Sequence, residues 1–227
     1  MQPIDRSLQP VVFPFPDCCA KLGPMNTKPV LLLIIGIAIL CSFATGARQT
    51  TTTNLPSYTP DGQLRLPESY REWIYLSTGF DMSYNPAMRG MDHHMFDNVF
   101  VNPEAYRGFL RTGTWPDKTI LVLEGRRAQN KGSINQNGHF QSEDVMAVEV
   151  HIKDESRFGG QGNWAFFGFG DEKTSKMIPQ TADCYSCHSQ HAAVDTTFVQ
   201  FYPTILSIAR SHNTLSAGYT KESAAKP

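Results

Sequence analysis

The chain has 227 residues, 41% of them hydrophobic and 18% charged, with a formal net charge of −1. That balance describes a globular domain with a real apolar core and excludes a disordered or fibrous chain. No basic stripe or Lys/Arg run appears, so the electrostatic footprint of a nucleic-acid binder is missing.

Residues 1–24 contain Pro3, Pro10, Pro14, Pro16 and the Cys18-Cys19 pair without a helical or strand period. They read as an over-long gene start or a short disordered tail. From Met25 the pattern changes. Lys28 precedes the uncharged, almost wholly apolar run Val30 to Phe43, which ends in the small residues Ala44-Thr45-Gly46-Ala47. This is the layout of a secretory signal: a basic start, an apolar centre of roughly 7–15 residues and a small-residue cleavage site. A membrane-spanning helix needs about 20 apolar residues. Residues 25–47 are therefore expected to be a signal peptide cleaved after Ala47, with an uncleaved anchor as the alternative. Either outcome places the following domain outside the cytoplasm, in the periplasm, and cleavage leaves Cys184 and Cys187 as the only cysteines.

Residues 48–64 are polar, Thr-rich and broken by prolines, and read as a linker. The domain proper is expected over 65–212. Tyr70 to Ser77 leans towards a strand through its aromatic and branched residues, and Asn98 to Val101 is a short strand. Asn102-Pro103-Glu104 supplies an N-cap, a first-turn proline and an early acid for a helix that runs to about Arg111 and stops at Gly113. Trp115 to Lys118 is turn chemistry, and Thr119 to Glu124 is a near-continuous apolar strand. Residues 128–138 form a polar loop. Val145 to Lys153 alternates clearly, with Val145, Ala147, Glu149 and His151 on one face and Met146, Val148, Val150 and Ile152 on the other. Trp164 to Phe169 is an aromatic strand. A helix capped by Thr181 or Asp183 and another from about Pro203 to Arg210 close the domain, and 213–227 is expected to be a flexible tail. Short strands without long intervening helices give an α+β class, mainly β: an antiparallel sheet flanked by a few helices, one of them near the C-terminus.

That helix carries the strongest signal, Cys184-Tyr185-Ser186-Cys187-His188. A C-x-x-C-H spacing reads as covalent attachment of haem c. Two thiols one short turn apart can each form a thioether to a porphyrin vinyl group, and the adjoining histidine is then held beneath the iron as its axial ligand. A redox dithiol, half a zinc site and a disulfide are the other uses of C-x-x-C. No second Cys/His pair at zinc spacing and no βαβ pattern accompanies it.

Several further blocks agree in order: Tyr70-Arg71-Glu72-Trp73, Asn102-Pro103-Glu104-Ala105-Tyr106, Thr112-Gly113, Gly162-Asn163-Trp164-Ala165-Phe166 and Phe198-x-x-Phe201-Tyr202-Pro203. Together with the C-x-x-C-H they resemble the cytochrome P-460 family, which includes the cytochromes c′-beta. The resemblance implies a mainly antiparallel β fold, a homodimer, one haem c with His188 as proximal ligand, and an open sixth position for a small gaseous or nitrogenous ligand. In hydroxylamine-oxidising members a strand lysine is joined to the porphyrin; that position falls on Leu123, five residues beyond Lys118. Their distal arginine falls on Asp97. Their distal carboxylate for proton transfer matches Glu149, which as a plain strand residue could equally face solvent. Phe96, with Phe100, Met146 and Phe166, is a core residue that could also cap the haem, while His93, His94 and Met95 precede the strand on the distal side. The resemblance thus implies an exported nitric oxide-binding cytochrome. Its rivals are a hydroxylamine- or nitric oxide-oxidising enzyme and a six-coordinate electron carrier using the 93–95 cluster.

Overall fold

The computed structural model describes residues 54–84 and 94–225. The signal segment 25–47, residues 48–53 and His93 lie outside the described residues. Five strands form one antiparallel sheet in the order β2-β3-β4-β5-β6: β2 (Ile74–Phe80), β3 (Met95–Val101), β4 (Ile120–Gln129), β5 (Phe140–Lys153) and β6 (Trp164–Phe169). A two-stranded ribbon pairs β1 (Leu64–Arg65) with β7 (Thr174–Ser175). The helices are α1 (Pro103–Thr112), the single turn α2 (Glu155–Phe158), α3 (Asp183–His191), α4 (Leu206–Ser211) and α5 (Ala217–Ala225). The expected mainly β, antiparallel architecture with a few flanking helices is what forms.

Both faces of the sheet are covered, which is why β4 reads as a continuous apolar run rather than an alternation. Leu121 joins Val101, Trp164 and the residues of α1 and α4 (Ala105, Phe109, Ala209) in a first core. Ile120 and Val122 join Val148, Val150, Ile152, Phe167 and Phe169 in a second core behind the sheet. Tyr70 to Ser77 divides: Tyr70–Glu72 is a 3₁₀ turn, and the strand starts only at Ile74.

Asn102 precedes α1 but its side chain makes no cap bond. Its Oδ1 instead accepts the Ile120 N–H at 2.8 Å. The amide thereby ties the start of the helix to the start of β4, with Pro103 occupying the first helical position. Gly113 ends α1 at φ 72, and a Cβ there would meet His212 Cβ at 2.7 Å.

Two expected boundaries move. Residues 54–64 are docked rather than a loose linker: Asn54 Oδ1 accepts the Trp73 indole N–H at 3.1 Å, and Leu64 is fully buried. Residues 217–225 form α5 rather than a flexible tail. Ser216 N donates to Ala193 O at 2.7 Å, and Leu215 and Tyr219 pack on the first core.

A buried carboxylate locks the second face. Glu124 is 2% exposed and receives the Tyr70 hydroxyl, the Arg126 Nε–H and the Arg71 Nε–H, the last at 2.7 Å. Burial works to raise its pKa, but the hydrogen bonds from Tyr70, Arg126 and Arg71 outweigh it and hold the carboxyl below its ordinary value. Such a group stabilises the fold above the pKa of the unfolded chain, and that stability is lost as pH falls through the folded pKa. Glu124→Ala leaves two guanidinium groups and a phenol facing a gap. It should cost about 3–5 kcal/mol in chemical denaturation at pH 7, and the difference from the parent should narrow in acid.

Candidate functional site

Cys184, Cys187 and His188 all lie on α3. Neither Thr181 nor Asp183 caps this helix as expected; Ala182 is the N-cap and makes no side-chain bond. Asp183 instead places its charge in the first turn, where the positive end of the helix dipole favours it. The i, i+3 spacing of the cysteines sets both thiols on one side of the helix, and both are free and half-buried. Burial pushes both thiols up from their ordinary value. A dithiol for exchange chemistry needs the opposite shift, so the redox-dithiol use lacks its chemical basis here.

The His188 ring is enclosed by aromatic groups. Ring centroids of Phe198, Phe166 and His151 lie 4.3, 4.6 and 5.1 Å away. Its Nδ1 lies 2.7 Å from Thr196 O, so it carries the proton and donates it to that carbonyl. This selects the tautomer whose Nε2 keeps a lone pair. Burial lowers the pKa of the imidazole, which keeps it neutral.

His188 stands over the first face of the sheet, and strand register sorts that face into rows. The first row is Val101, Leu121, His151 and Phe166; the next is Val99, Leu123, Glu149 and Gly168; the third is Asp97, Gly125 and Ala147. Gly125 leaves room in the third row, since a Cβ there would meet Met95 Sδ at 2.9 Å and lie 3.7 Å from Asp97 Oδ1. Glu149 is exposed to solvent, as its plain reading as a strand residue has it, while the protein around its carboxyl desolvates it enough to raise its pKa. Its charge is felt at Cys184, which places it within electrostatic reach of α3. Asp97 is pushed up to about 6, by burial first and then by the negative charges of Glu149 and Asp81. Its Oδ1 is buried without a hydrogen-bond partner among the described residues.

The family model described as Cytochrome P460 matches residues 67–199. The chain belongs to the Cytochrome P460 family. It is therefore a haem cytochrome. No curated protein matches the chain.

The residues present fit the cofactor of a Cytochrome P460 protein. A neutral, buried imidazole with its Nδ1 proton committed to a carbonyl is the form that ligates iron through Nε2, and the two half-buried thiols precede it on the same helix. Leu123 and Glu149 face each other across β4 and β5, and Asp97 lies one row further along the same face.

Phe96 does not share that face. It pairs with Phe80 and Arg126 on the opposite side of the sheet and packs against the Phe80 ring at 4.9 Å. An odd step from Asp97 on one strand reverses direction, so Phe96 cannot cap a group bound beside Asp97. Phe100 also lies on the second side, against Tyr70. The register shift between Gly125 and Arg126 takes Val145 out of the expected alternation, opposite Arg126. Lys118 is engaged elsewhere: its ammonium donates to Asp154 and, at 2.9 Å, to Ser156. His94 pairs with Asp81 and stacks on Phe80. His191 stacks on Tyr84 at 4.3 Å and meets Glu222 at 2.9 Å, as suits a packing residue.

Sequence reasoning missed the aromatic cage. His151, which alternation sets on the face of Glu149 without assigning it a role, is 8% exposed. The signal was available: its alternation placed it with Glu149, and the aromatic strand at 164–169 supplied the ring beside it.

The raised pKa of Asp97 has a consequence for stability. The folded chain holds this proton to about pH 6, whereas an unfolded aspartate releases it near its ordinary 3.8. The native state thus binds the proton more tightly, so stability falls as pH rises between those values and is constant above them. Asp97→Asn cannot ionise; it should flatten that segment and gain on the order of 2 kcal/mol over the parent at pH 7.5. Urea denaturation at pH 4.5 and 7.5 measures both; parallel curves for parent and variant would refute the burial of Asp97.

Proposed function

We propose that this cytochrome is an exported protein with one haem c, held by thioethers from Cys184 and Cys187 and by His188, and that it binds nitric oxide or a similar small ligand at an open distal position. Bound haem supplies an iron whose second axial position, polarity permitting, takes a diatomic or small nitrogenous ligand. The observation that carries the reading is Leu123. It stands in the central row of the face, between Val99 and Glu149, at the position where hydroxylamine-oxidising relatives carry their porphyrin-linked lysine. A leucine has no nucleophilic atom and can only pack. Val99, Leu121 and Leu123 make that part of the face apolar, which favours an uncharged ligand. Glu149 and Asp97 are the groups there that can hold and move a proton, and desolvation favours the protonated form of each.

A low-spin electron carrier is the second reading, and Met95 favours it. Its thioether lies over Gly125 on the face of Asp97. Optical spectra of the purified ferric and ferrous protein separate the two. The expected result is a five-coordinate high-spin haem that binds nitric oxide and turns over hydroxylamine slowly or not at all. A six-coordinate low-spin spectrum that Met95→Leu converts to high spin would select the carrier. Sustained hydroxylamine oxidation, or a third protein–haem bond in a peptide map, would select the oxidising enzyme.

Covalent attachment has its own test. Acidified organic solvent should extract no haem from the denatured protein, and Cys184→Ala or Cys187→Ala should each lose one thioether and much of the holoprotein. Full extraction from the parent would refute the thioethers. Export predicts an intact mass that begins at Arg48; a mature form beginning at Met25 would make residues 30–43 an anchor.

A further inference from the structure

His151 sits where the C-x-x-C-H motif requires no second histidine. It occupies the first row of the face, opposite Leu121 and Phe166. Its ring stacks on Phe166 at 3.9 Å and 12°, lies 4.4 Å from Trp164, and meets His188 edge-on at 5.1 Å and 76°. A phenylalanine would fill such a place with no polar group to desolvate. What phenylalanine lacks is a ring nitrogen, and His151 Nε2 lies 3.2 Å from Thr196 Oγ1. The carbonyl of that same threonine accepts the Nδ1 proton of His188 at 2.7 Å. One residue thus holds the ligand histidine by its backbone and the buried histidine by its side chain.

The loop that presents Thr196 is braced on both sides. Val194 and Thr197 form an isolated bridge, with Asp195 between them at φ 51. The Trp115 indole N–H donates to Thr197 Oγ1 at 2.7 Å, and the Trp115 backbone N–H donates to Asp195 Oδ2 at 3.3 Å. These bonds set the neighbours of Thr196; the hydroxyl contact with His151 ties Thr196 itself to β5.

We infer that His151 is a positioning residue for the haem ligand: through the Thr196 hydroxyl it holds the Thr196 carbonyl in line with His188 Nδ1–H. It thereby fixes the tautomer, the ring rotation and the donor strength of His188 Nε2. Partners of this kind orient a ligating imidazole and raise its basicity. The inference rests on the proximal role proposed above for His188, and it adds a residue from the sheet to a site otherwise read from α3 alone.

The test uses the full-length holoprotein, with the iron–histidine stretching band of the ferrous form and the midpoint potential as readouts. His151→Phe keeps the ring stack and removes the nitrogen. Thr196→Val removes the hydroxyl and keeps the carbonyl. His151→Gln restores a polar atom near the place of Nε2. With haem content unchanged, the first two variants should lower the stretching frequency and raise the potential, and His151→Gln should return both most of the way. Parent-like values in His151→Phe and Thr196→Val would overturn the inference. So would a shift in His151→Phe that Thr196→Val does not share, because that outcome assigns His151 to packing alone. If His151→Phe does not accumulate, Thr196→Val decides by itself. A parent protein with no iron–histidine band would overturn the proximal role of His188 and this inference together, whereas unchanged variants overturn the inference only.

Discussion

Strand β5 is paired along most of its length, by β4 on one side and β6 on the other, so its two-residue period is imposed on three strands at once. That constraint decides what surrounds α3, the helix of the C-x-x-C-H motif. Each step of two residues along β5 changes the row presented to α3, from His151 in the aromatic cage to Glu149 and then Ala147. The intervening residues Val148, Val150 and Ile152 fill the second core. A slip of one residue would exchange Glu149 and His151 for valines on the first face and bury a carboxylate and an imidazole in that core. The apolar content of the second face therefore holds the register against such a slip, and the functional rows inherit their order from packing on the far side of the sheet.

The molecule treats its carboxylates in two opposed ways. Glu124, on the second face, is more buried than Glu149 and Asp97, yet its acid group is held ionised because Tyr70, Arg126 and Arg71 all donate to it. Asp97 and Glu149, on the first face, have no such cationic partners among the described residues and are shifted the other way. A fold selected for stability alone would compensate these two as it compensates Glu124. Uncompensated acids on a face that also carries a candidate site are where perturbed proton affinity becomes useful, and they cost the protein stability at neutral pH. Local cost of this kind is expected at working sites rather than in the scaffold.

How much of this was legible in the sequence follows from how local each signal is. The C-x-x-C-H motif is legible because its three residues lie within one short local spacing, and the strands were readable from alternation or from continuous apolar runs. Asn102 takes the N-cap position as expected, but its amide serves a long-range contact to Ile120 instead of a cap bond, which no local rule can see. Residues 217–225 read as a tail because they have no apolar stripe; their helix is held by bonds to the loop after α3 and by Tyr219 on the core. Phe96 was grouped with haem-facing residues by composition, and parity along β3 assigns it to the other side. Val145 fell to a register shift, which inserts a residue without leaving a mark in the pattern. His151 was undervalued because the burial of its face depends on α3 and the 194–197 loop, both distant in sequence.

The rows also separate position 123 from the aromatic cage around His188. The row of Leu123 lies one two-residue step from the row of His151, a separation of roughly 7 Å along the strand. Residue 123 can therefore change without disturbing the aromatic cage around His188. Its cross-strand neighbours are Val99 and Glu149, and Asp97 is displaced by one row. A lysine at 123 would place an ammonium opposite Glu149, where an opposite charge across strands is favourable, and would relieve the uncompensated acids of this face. A leucine there does neither, so the acids keep their raised proton affinity and the surface between them stays apolar. The register shift lies further along, between Gly125 and Arg126, so its distortion stays outside these two rows. The fold thus supplies a fixed grid, and the side chain at position 123 sets whether its central row carries a charge opposite Glu149.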